Sequence, residues 1–123
     1  MIHRPDPTRY RMGDHWLFQG PDRVHLFFLK RDVDDRFKRV GHATSLDLLH
    51  WTEHNDIEIH PRERDWDYQA RISQTGYVIE HEGRYWMAYG ARDAGTQKIG
   101  WLVSDDLDRW HRPSAEPVMW PQT

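Results

Sequence analysis

Hydrophobic residues in this chain come in short dense runs with no helical period. Val24-His25-Leu26-Phe27-Phe28-Leu29 is apolar at nearly every position, and so is Tyr85-Trp86-Met87-Ala88-Tyr89. Runs of this length, bounded by turn formers, fit strands covered on both faces. The pattern predicts a first strand over Gly13–Gln19, a turn at Gly20-Pro21-Asp22 and a second strand over Val24–Lys30. A charged loop, Asp32–Phe37, then leads to a third strand, Arg39–Ser45, and a tight corner at Asp47-Leu48-Leu49. An outer fourth strand follows over Trp51–Ile59, interrupted near Asn55-Asp56. His60–Gln69 is a polar crossover. The cycle then returns: strand Ile72–Glu80, turn His81-Glu82-Gly83, strand Arg84–Tyr89, loop Gly90–Gln97, strand Lys98–Ser104, corner Asp105-Asp106-Leu107 and a last short strand opening at Trp110. Pro5 and Pro7 keep the lead-in irregular, and Pro113, Pro117 and Pro121 break up the tail. No window holds an apolar stripe at a 3.6-residue period for three turns.

The return of the cycle is a sequence repeat. Val-Gly-His-Ala-Thr-Ser-Leu-Asp-Leu-Leu-His-Trp (40–51) comes back as Ile-Gly-Trp-Leu-Val-Ser-Asp-Asp-Leu-Asp-Arg-Trp (99–110), a constant 59 residues on. The same offset aligns His25–Lys30 with Arg84–Tyr89 without a gap. Each unit reads as four antiparallel strands joined by short turns, which is the anatomy of a β-propeller blade. The expected fold is therefore all-β: two four-stranded antiparallel β-propeller blades, one over about residues 13–60 and one over about 70–120. In Ser-x-Asp-Leu-x-x-Trp, the Ser and Asp are expected to hold the corner through backbone amides, and the Leu and Trp to plug the gap between blades. Gly41 and Gly100 are expected to serve the backbone. Two blades cannot close a ring of the usual four to eight. Further blades, an assembly of several copies, or a prematurely ended chain would account for that.

Composition narrows the function. Seventeen basic against twenty acidic residues give a net charge of −3 with the signs interspersed, so no basic face suggests a nucleic-acid partner. Cysteine is absent, which excludes disulfide and thiol chemistry. No stretch approaches a membrane span. The opening Met-Ile-His-Arg-Pro-Asp-Pro lacks an apolar run, so no signal peptide and a cytoplasmic location are expected. Sixteen aromatics, seven of them Trp, either fill a β core or stack on sugar rings. Metal signals are weak. Asp32-Val33-Asp34-Asp35 lacks the Gly and distal Glu of a calcium loop, and the nine His form no HExxH pair. No cofactor is expected, and no Gly-rich phosphate cradle occurs.

The 40–51 segment resembles the Gly-His-Ala-x-Ser-x-Asp-Leu-x-x-Trp motif of the five-bladed β-propeller glycoside hydrolases, the invertase-like family 32 and the arabinofuranosidase/xylosidase-like family 43. Thr75-Gly76-Tyr77-Val78-Ile79 through Gly90 is similar to their second-blade segment, and Arg9–Phe18 to first-blade openings that carry an inner-strand Asp. The resemblance implies a carbohydrate substrate and a blade-one Asp acting as nucleophile or base; Asp14 is that candidate. It also implies a second Asp and a general-acid Glu on later blades, neither of which has a match here. Ala91-Arg92-Asp93 is superficially like the later Arg-Asp-Pro segment but is expected in a hairpin loop. The Trp-Met-Asn-Asp-Pro-Asn-Gly opening of invertases is replaced by Gly13-Asp14-His15-Trp16.

Glycoside hydrolysis usually needs two carboxylates, about 5–5.5 Å apart for retention or about 6.5–9.5 Å for inversion. Asp14 alone cannot do both jobs. Tyr10 and Trp16 are expected on a sugar-binding wall, with Phe18 rather in the core. Gln69, Arg71, Gln74 and Thr75 are expected to meet sugar hydroxyls, and His42 to be a satisfied strand histidine. Three readings stand side by side: the N-terminal blades of a glycosidase, a carbohydrate-binding module without chemistry, and a homo-oligomer built through exposed blade faces.

Overall fold

The computed structural model describes residues 10–32, 38–68, 71–93 and 96–119. The chain is all-β. Strands β1 (Tyr10–Gln19), β2 (Val24–Asp32), β3 (Lys38–Ser45) and β4 (Thr52–Glu53) form one antiparallel sheet in chain order. Strands β5 (Tyr77–His81), β6 (Arg84–Asp93) and β7 (Thr96–Ser104) form a second, three-stranded sheet. Two antiparallel sheets, with no helix among the described residues, are the architecture expected from the alternation of apolar runs and turns.

Several boundaries differ from expectation. The fourth strand of the first sheet shrinks to two paired residues plus the Val40–Ile57 bridge. In the second sheet, single bridges Val103–His111 and Ile99–Met119 stand where a fourth strand was expected. Proline is the reason: Pro113 and Pro117 supply no N–H for a ladder. β6 runs through Ala91, Arg92 and Asp93 and pairs with β7 from Thr96, so the expected loop over 90–97 is mostly strand. Of the expected strand over 72–80, only Tyr77 onward is regular, with Ser73 N–H donating to the Gly90 carbonyl upstream of it.

The repeat is real but not gapless. Gly41 lies opposite Phe28, and its counterpart Gly100 lies opposite Tyr89. Phe28 therefore matches Tyr89, 61 residues on, not Met87. Shortening the β6–β7 hairpin absorbs the two residues. An even shift keeps every side chain on its face, which is why the sequence alignment tolerated it.

The two sheets meet face to face. Trp16, Phe27 and Val40 of the first pack with Val78, Met87, Tyr89 and Leu102 of the second, closed by Ile57, Ile59, Trp66, Ile72 and Leu107. Trp16 stacks on Phe27 with centroids 6.2 Å apart, and Phe18 meets Tyr85 edge-on at 5.7 Å. Burying each such ring contributes roughly 1.5–3 kcal/mol. On the far face of the first sheet a smaller cluster forms from Phe28, Ala43, Leu26 and Trp51. Gly41 makes it possible, because a Cβ there would stand 2.2 Å from the Phe28 ring.

The Ser-x-Asp-Leu corners work as expected. Ser45 Oγ accepts from Leu48 N–H at 2.8 Å, and Asp47 Oδ1 accepts from the Leu49 and His50 amides. Ser104 and Asp106 repeat the pattern on Leu107, Asp108 and Arg109. Both leucines take positive φ, 72° at Leu48 and 69° at Leu107. Only Leu107 plugs the gap between sheets; Leu48 is 58% exposed. Trp110 also fills the gap, edge-on to Phe27 at 5.9 Å.

Candidate functional site

Asp14 owes its position to a local irregularity in β1. Met12 pairs with Lys30 and His15 with Phe28, so Gly13 and Asp14 together oppose Leu29. Such a bulge re-aims the side chains beside it. Asp14, Trp16 and Phe18 then alternate onto the face that meets the second sheet. Trp16 touches Gly76, Phe18 touches Tyr85, and Asp14 reaches Thr75. Thr75 Oγ1 donates to Asp14 Oδ2 at 2.6 Å, 61 residues away in the chain. By the structural offset of the repeat, Thr75 occupies the place in the second unit that Asp14 occupies in the first. The two sheets thus touch at equivalent points.

A cleft of about 420 Å³ opens beside this contact, lined by Arg11, Gly13, Asp14, Arg31, Ser73 and Gln74 among others. Its chemistry is a carboxylate, an amide, a hydroxyl and guanidinium groups: acceptors and donors suited to a polyhydroxylated ligand. Asp14 and Thr75 are solvent-exposed, and Gln74 is half-buried.

The other candidates divide. Trp16, expected on the wall, is 6% exposed and belongs to the core, because Phe27 and the Gly76 backbone cover its ring. Phe18 is half-buried against the core, as expected. Arg71 is half-buried with φ 51° at the entry to the second sheet, its amide donating to the Asp67 carbonyl. The backbone of Tyr10 starts β1 opposite Asp32. The Tyr10 side chain, Gln69 and the acidic run at 33–37 lie outside the described residues.

A second polar centre was not legible in the sequence. His25 Nδ1 and His42 Nε2 lie 2.8 Å apart in a shared hydrogen bond, with the rings stacked at 5.1 Å. His54 tilts onto His42 at 5.0 Å and bonds the Thr44 hydroxyl through Nε2 at 2.7 Å. His42 is fully buried, yet its Nδ1 has no hydrogen-bond partner and faces Asp108 Oδ1 at 4.0 Å. It is thus half-satisfied, where a satisfied strand histidine was expected. Burial, then the neighbouring His25 and His54, push its pKa down to about 3; burial also lowers that of His25. Residues 17 and 66 positions apart gave no spacing signal. The β2–β3 register and the corner after β7 bring them together. A cleft of about 900 Å³ adjoins them, lined by His42, His54, Asp106, Asp108 and Arg109 and by the ion pairs of Lys30 and Arg39 with Asp56.

The chain matches no protein-family profile. It is 30% identical over 96 residues to the sucrose-6-phosphate hydrolase of Klebsiella pneumoniae, a match covering 73% of this chain and 20% of that protein. Among solved structures it resembles a glycoside hydrolase with a TM-score of 0.71 at 16% identity, over 96% of this chain and 40% of the other. A glycosyl hydrolase from Bacteroides ovatus gives 0.65 at 15% identity, over 84% and 31%. A structure from the GH130 family of mannoside phosphorylases, described as containing glycoside hydrolases that target β-1,2-mannosidic linkages in Candida mannan, gives 0.64 at 17%, over 84% and 31%. The structural likenesses show the fold. The chain spans one fifth of the curated relative's length and well under half of each solved structure.

Proposed function

We propose that this chain forms the first two blades of a propeller glycosidase and contributes Asp14, as nucleophile or general base, to a glycan pocket completed by further blades. The observation that carries the reading is the β1 bulge, which sets the exposed Asp14 carboxylate at the sheet junction under the Thr75 hydroxyl. Thr75, Gln74 and Ser73 are the residues we assign to sugar hydroxyls beside it. The likeness to a sucrose-6-phosphate hydrolase supports a glycoside substrate of the fructoside kind; the resemblance of the 40–51 segment to the family 43 motif adds arabinosides and xylosides as alternatives.

The chemistry needs a second carboxylate as general acid on the opposite side of the scissile bond. In this reading a later blade supplies it. The test is turnover of sucrose 6-phosphate and of aryl arabinosides and xylosides by the ring that contains these blades, against its Asp14→Asn variant. An isosteric amide can accept the Thr75 hydrogen bond but cannot attack or take a proton. Loss of turnover by at least a thousandfold with folding intact is expected. Turnover within threefold of wild type removes Asp14 from the chemistry.

A further inference from the structure

We propose that His25, His42 and Asp108 form a binding site for a divalent transition-metal ion of the zinc type. Each offers one ligand atom, and the three atoms lie within 4.8 Å of one another. Two imidazoles and a carboxylate are a donor set that zinc, nickel and cobalt accept, leaving a coordination position open to solvent or ligand. The two rings are already aligned. They lie within 9° of coplanar and share a hydrogen bond, which holds both rings beside the site until an ion displaces it.

The independent pointer is His42 Nδ1. A fully buried ring nitrogen without a partner is costly, and such atoms call for an explanation. This one faces the Asp108 carboxylate at 4.0 Å, so a small inward movement of Asp108 brings the pair to the roughly 3.4 Å that two bonds of about 2.0–2.2 Å span at a tetrahedral ion. With His42 Nε2–H donating to His25 Nδ1, the tautomer leaves Nδ1 as a bare lone pair. His25 Nδ1 accepts that bond while the site is empty and must leave it to ligate the ion. Asp108 sits on the exposed corner after β7, its side chain 58% exposed, and can swing inward to complete the set. The adjoining cleft gives an ion its way in.

The site spans both sheets: His25 and His42 belong to β2 and β3, and Asp108 to the corner after β7. A bound ion would therefore tie them together. It shares no ligand with Asp14 and does not depend on the glycosidase reading.

The experiment is titration of the chain with Co(II), read by its visible d–d absorption, and with Zn(II) by calorimetry. One equivalent at saturation is expected, with a rise in the unfolding midpoint. Asp108→Asn, an exposed change that leaves the core untouched, is expected to weaken binding at least tenfold. His25→Gln is expected to abolish the tetrahedral cobalt spectrum. No saturable binding, or binding that both variants retain within twofold, overturns the proposal. The second result would place the ion on other surface histidines.

Discussion

Two leucines show how one backbone conformation has opposite consequences. Leu48 and Leu107 both hold left-handed φ at the same corner of the repeat. That conformation costs a branched side chain about 1 kcal/mol and glycine almost nothing. Leu48 is exposed, so Leu48→Gly should stabilise the chain by up to about 1 kcal/mol. Leu107 is 1% exposed, so Leu107→Gly should destabilise it by about 2–4 kcal/mol despite the relieved strain. Urea unfolding of the pair checks the sign. Glycines divide on the same logic. Gly83 has φ 79° and open space around it, so Gly83→Ala should cost only about 1 kcal/mol, through the backbone alone. At Gly41 a Cβ would enter the Phe28 ring, so Gly41→Ala should cost about 3 kcal/mol or leave the first sheet unfolded.

Elements are joined here by polar contacts as much as by apolar ones. The polar crossover and the tail are fastened to β6 through one carboxylate: Asp67, fully buried, accepts from Tyr89 OH at 2.6 Å and from Arg112 Nη1 at 3.0 Å. Arg112 also reaches Asp65 at 3.1 Å. Removing one partner of a buried pair leaves an uncompensated charge. Arg112→Ala should therefore cost about 3 kcal/mol, and Tyr89→Phe about 1–2 kcal/mol. Denaturant midpoints, with hydrogen exchange at Ile99 and Val103 as the local readout, test this. The first corner adds a pH dependence. Amide donation from His50, its ring, and the Leu49 amide hold the Asp47 carboxyl below its ordinary 3.8. A depressed folded pKa gives stability that is present above about pH 4 and lost as pH falls through the lower value. The Asp47→Asn variant should flatten that part of the acid unfolding curve.

At the scale of the molecule, one interface is made and the outward faces are left partly open. Leu17 is 56% exposed on the far side of the first sheet; Tyr77 at 67% and Ile79 at 39% lie on the far side of the second. Patches of this kind favour association. Sedimentation of the chain should show concentration-dependent self-association, reduced in Tyr77→Lys/Ile79→Lys. A monomer at all concentrations would show that these faces need no cover. The sequence by itself determined the all-β class, the duplicated unit and the corner chemistry, because each rests on neighbours along the chain: alternation, turn residues, a Ser and an Asp two apart. Tertiary structure alone decided the rest. It slid β6 by two residues without changing a face, moved Trp16 from the expected wall into the core, placed Thr75 on Asp14, and gathered His25, His42 and Asp108. Those outcomes depend on cross-strand register and on one sheet pressing against another. Contacts 17 to 66 residues apart leave no local period to read.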